Sequence, residues 1–90
     1  MVIQLSMIDQ EINRLQLRKE ELTVKVIPDL ENRTQGLYQL ILPLRKGSED
    51  RERYEEEYAL LSKELRLRSD ELVSIGHEIE NLEVQKSQRR

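Results

Sequence analysis

Ninety residues make one small domain at most, too short to enclose a large catalytic fold. Charged residues are 37% of the chain and hydrophobic residues another 37%, but aromatics are only 3%, all of them Tyr, which excludes a core built on rings. Three glycines and two prolines are too few for an all-β chain of tight turns, a net charge of −3 argues against nucleic acid as principal partner, and the lack of cysteine removes disulfides, zinc knuckles and thiol nucleophiles.

Arm one comes first. Apolar residues recur at Leu5, Ile8, Ile12, Leu15, Leu22 and Val26 in alternating steps of three and four, with Lys19 filling the one skipped position. That is the a/d stripe of a heptad repeat. Beyond Pro28 it resumes at Leu30, Thr34, Leu37, Ile41 and Leu44, displaced by one residue. Proline lacks an N–H and crowds the preceding turn, so the first arm is expected to kink at Pro28, or to break there with Pro28 starting a new helix.

The segment Pro43 to Asp50 gathers stop and start signals. Arg45 and Lys46 suit a helix C-terminus, Gly47 can adopt the left-handed conformation that ends one, and Ser48 can cap the next. Glu49, Asp50 and Glu52 bring negative charge to the following first turn. From there the stripe runs unbroken through Tyr54, Tyr58, Leu61, Leu65, Arg68, Leu72, Ile75, Ile79, Leu82 and Lys86.

The turn lies near the midpoint, so two arms of about 60 Å each can fold back on one another. Laid antiparallel, Leu44 meets Arg51, Leu37 meets Tyr58, Leu30 meets Leu65, Leu22 meets Leu72 and Leu15 meets Ile79, with one slip of register at Pro28. The chain through Lys46 carries about one net positive charge and the rest about four net negative charges, which favours this meeting, although exposed ion pairs contribute only about 0 to 1 kcal/mol each. The fold expected is therefore an all-α, antiparallel coiled-coil helical hairpin over residues 1–90. Arm one covers about 3–44, the turn about 45–48 and arm two about 49–87. Lys19 and Arg68, polar at the seam, are expected to set its register.

Two helices along one seam leave much apolar surface uncovered. Ile3, Leu17 and Val24 lie at multiples of seven on one side of the first arm, as do Leu60 and Leu67 on the second. Around the turn Leu37, Tyr38, Leu40, Ile41, Leu42 and Leu44 make a stretch apolar nearly all round, with Tyr54, Tyr58, Leu60 and Leu61 across from it. A helix apolar on every side is normally covered, so these residues are the expected protein interface. A second copy would complete a four-helix bundle, and helices of another protein are the other possible cover. Insertion into a membrane interface is disfavoured by the few flanking cations and by Glu55, Glu56 and Glu57.

Chemistry is sparse. His77 is the only histidine, and no His-Glu arrangement at i, i+4 with a third ligand accompanies it. No serine has an adjacent histidine base, and no glycine-rich phosphate loop occurs. Gly76 sits in mid-helix, where it costs about 1 kcal/mol relative to Ala. Catalytic residues, metal, cofactor and small-molecule ligand are accordingly expected to be none. Ile8-Asp9 through Glu21-Leu22, Asp50-Arg51-Glu52-Arg53 and Asp70-Glu71-Leu72-Val73 are faintly similar to stretches of the small, dimeric, all-helical chorismate mutases. That resemblance would imply cations converging on a dicarboxylate. Val2, Leu30 and Ser48 stand near positions where that family carries Arg, Lys and Asp, which leaves only Arg51, Glu52 and Lys19.

No apolar run approaches the roughly 20 residues needed to cross a bilayer, and Met1 to Asp9 lack a signal peptide's basic flank and cleavage site. The reading is a cytoplasmic, non-catalytic oligomerisation or scaffold module. A small acidic helical chaperone that shields a partner's amphipathic helix comes second, ahead of a mutase-like enzyme. One long parallel coil broken at its two prolines is the alternative architecture.

Overall fold

The computed structural model describes residues 2–88, with side chains from Met7 onward. Ile3 and Leu5, assigned above to the apolar stripes, lie outside the described side chains, and Arg89 and Arg90 lie outside the described residues. The described residues are all helical apart from one turn. The chain runs through α1 (Val2–Glu21), a π-helical turn (Leu22–Val26), α2 (Ile27–Ile41) and α3 (Glu49–Gln88). The first three make arm one and α3 makes arm two. Together they form a helical hairpin 65 Å long and 16 by 14 Å in section. Its radius of gyration is 19.6 Å, against about 12 Å for a globule of this length.

The connection between the arms follows from four residues. Pro43 has no N–H to continue the ladder, so the last helical donor is the Leu42 N–H, bonded to the Tyr38 carbonyl at 3.1 Å. Helix α2 therefore ends at Ile41, and Leu42 to Leu44 belong to the turn and not to the arm. Gly47 takes φ +84°, which a side chain would strain. Ser48 then caps α3, its hydroxyl accepting the Arg51 N–H at 3.2 Å. Glu49, Asp50 and Glu52 lie in the first turn, where the helix dipole favours negative charge. Arg51 closes the connection by donating from Nη1 to the Leu44 carbonyl at 2.7 Å.

At Pro28 the first arm does not break. Val26 and Ile27 keep right-handed helical angles, and Pro28 occupies the first turn of α2. The disturbance sits one turn earlier, where the Ile27 N–H reaches back five residues to the Leu22 carbonyl. A π turn holds more residues per revolution than an α turn, so it absorbs the one-residue slip of the apolar stripe that the sequence shows between Val26 and Leu30. The widened turn also precedes the position where a proline ring would crowd an α-helix. Thr23 Oγ1 donates to the Lys19 carbonyl at 2.8 Å, a back-bond typical of bent helices.

The core lies toward the open end of the hairpin. Ile12, Leu15 and Leu22 from arm one and Ile75 and Ile79 from arm two form one buried cluster, joined by Ile8, Val26, Ile27, Leu72 and Leu82. Leu22, at the start of the π turn, is the one fully buried side chain among the described residues. In the turn-proximal half only Leu30 and Ile41 are buried.

Candidate interaction surface

The ten residues assigned to an interface do not share one environment. Ile41 is only 7% exposed and belongs to the hairpin's own interior. Leu37, Leu44, Tyr54, Tyr58 and Leu61 are half-buried. Tyr38, Leu40, Leu42 and Leu60 stay open to solvent, Leu42 at 58%. Tyr38 and Tyr58 meet across the arms with ring centroids 6.2 Å apart and planes tilted by 42°, a spacing within the favourable range for aromatic pairs. With Thr34, Gln35, Glu31 and Leu65 they line a shallow groove of about 350 Å³.

The opposite side of the rod is charged. Lys25, Asp29 and Arg33 of arm one and Glu64 of arm two rim a groove of about 680 Å³ whose floor is Val26, Leu30 and Leu61. Further toward the open end Arg18 makes a forked contact with Glu71, Nε to Oε2 at 2.8 Å and Nη2 to Oε1 at 3.1 Å. Arg68 Nη1 donates to the same carboxylate at 2.6 Å. Arg18 also pairs with Glu21. Hydrogen bonding from Arg18, with its charge and that of Arg68, holds the Glu71 carboxyl below the usual carboxylate range, although desolvation opposes this. The guanidinium of Arg18 is correspondingly shifted upward, chiefly by its bond to Glu71.

Of the two register-setting residues named from sequence, Arg68 is half-buried and held by Glu71 and Glu64. Its Nε is shielded from solvent and lies 3.2 Å from Glu64 without forming a hydrogen bond, which leaves part of its desolvation uncompensated. Lys19 is exposed. Its neighbour Arg18 crosses between the arms instead, to Glu71; periodicity selects seam positions and not the longer side chains that reach over them. A second inter-arm ion pair joins Lys86 Nζ to Asp9 at 2.6 Å.

His77, Glu55, Glu56 and Glu57 are exposed. Among the described residues no three His, Cys, Asp or Glu side chains gather in a way that could hold a metal ion. Arg51 and Glu52, the residues left by the mutase resemblance, sit at the turn, where Arg51 is engaged with the Leu44 carbonyl and Glu55. Among the described residues no helix is long and apolar enough to cross a membrane. No protein-family model, no curated protein and no solved structure matches the chain.

Proposed function

We propose that the protein is a non-catalytic, cytoplasmic coiled-coil oligomerisation or scaffold module whose turn-proximal end packs against a second copy to make a four-helix bundle. The observation that carries this reading is the exposure of Tyr38, Leu40 and Leu42 in the half of the rod that has the thinnest interior of its own. Large side chains left open beside an incomplete core mark contact sites. The groove around Tyr38 and Tyr58 adds shape, and tyrosine suits such a surface because its ring buries area while its hydroxyl stays hydrated.

Light scattering against concentration tests the reading. The wild type is expected to gain mass beyond the monomer as concentration rises and the double variant Leu40→Asp/Leu42→Asp to associate more weakly, with helicity unchanged because both side chains are already exposed. A wild type that stays monomeric at every concentration, or a double variant that pairs as well as the wild type, would refute it.

A further inference from the structure

A second surface lies on the backs of the two arms, away from the seam. On arm one Leu17, 69% exposed, and Val24, 63% exposed, share one groove with Glu20, Glu21 and Lys25. On arm two Leu60, also 69% exposed, and Leu67 stand seven residues apart, with Lys63 between them and Arg66 alongside. Residues three, four and seven apart fall on one helix face, so each back carries an apolar, charged, apolar row. The rows match when read in opposite directions. From Leu17 the steps to Glu21 and Val24 are four and three, and from Leu67 the steps to Lys63 and Leu60 are also four and three.

We propose that arm one of one copy docks antiparallel on arm two of a second copy through these rows, and that the contact repeats from copy to copy. Leu17 packs on Leu67 and Val24 on Leu60, with Glu21 facing Lys63 between them. Opposite charges accompany the same register, since Arg14 falls opposite Asp70 while Glu20 lies diagonal to Arg66 and Lys25 diagonal to Glu57 on the two flanks of the row, and all six are exposed. This complementarity selects a second copy as the occupant, because the two rows belong to the same chain. The contact joins unlike surfaces, so each copy added presents a fresh arm one or arm two and growth does not close on itself. The register differs from that within the hairpin by ten residues, so successive copies are offset by about 15 Å along the rod.

The surface shares Leu60 with the ten residues assigned to the turn-proximal one but does not include Leu40 or Leu42, and the test is made in the Leu40→Asp/Leu42→Asp background so that the two can fail independently. That background is expected to keep growing in mass with concentration. Leu17→Asp or Leu67→Asp added to it should each weaken self-association by at least about tenfold. An equimolar mixture of the two should form a one-to-one complex and stop, because each supplies the intact row the other lacks. The native chain has no cysteine, so Glu21→Cys and Lys63→Cys on separate chains should form a mixed disulfide faster than either forms with itself. A background that no longer associates, single variants that associate as it does, or a mixture that stays monomeric overturns the proposal.

Discussion

The two halves of the rod differ in how much of their apolar sequence they turn inward. The turn-proximal half holds the most apolar stretch of the chain, Leu37 to Leu44, yet buries only Leu30 and Ile41. The open-end half contains the continuous cluster around Leu22 and the Arg18–Glu71 fork. Two helices can cover only the stripe each turns toward the other, so apolar residues beyond that stripe remain on the surface however many there are. The consequence is a division of labour in which the open end holds the hairpin together and the turn end has surface to offer.

The strongest challenge to this comparison is Leu22→Ala. Removing a fully buried side chain from the centre of the cluster is expected to cost about 3 kcal/mol, read as a fall in midpoint in urea or in thermal unfolding followed by circular dichroism. Ile41→Ala, in the sparse half, should cost distinctly less. Equal losses would show that the interior is shared evenly along the rod.

Gly47→Ala comes next. An added Cβ meets nothing within 4 Å, so the whole effect is the backbone cost of φ +84°, about 1 to 2 kcal/mol. If the hairpin depends on that connection, the loss should appear in stability while helicity at low temperature is retained.

The smallest effect belongs to the ion pairs. Glu71→Gln is expected to cost about 1 kcal/mol and to cost less in high salt. The Glu71 carboxyl is held below its ordinary value in the folded chain, and so is that of Glu11 beside Arg14. Each contribution is therefore present above the carboxylate's unfolded value and is lost as pH falls through the lower, folded one. The wild type should lose stability progressively as pH falls from the usual carboxylate range downward, and Glu71→Gln should flatten that limb.

What could be read from the sequence was the part written in local chemistry. Gly47 and Ser48 announce a turn by conformational freedom and capping, and the three-and-four spacing around Leu15, Leu22, Ile75 and Ile79 marks the stripe that is buried. The response at Pro28 was not legible, because a one-residue slip has several solutions: a kink, a break, or a π turn. Choosing among them depends on whether packing on both sides holds the helix continuous, which no local pattern records. Lys19 illustrates the same limit. Phase placed it at the seam, but one residue away the long, forked side chain of Arg18 spans to Glu71 and makes the crossing contact.

The slenderness of the molecule carries over into how it moves in water. Its amide bonds point along the long dimension in both arms, so nuclear relaxation will sense mainly slow end-over-end tumbling and very little of the quicker spin about the axis. A lone chain 65 Å long will also leave a gel-filtration column ahead of a sphere of equal mass. Counting copies therefore calls for a measurement of mass, since diffusion and elution alone would overstate the number.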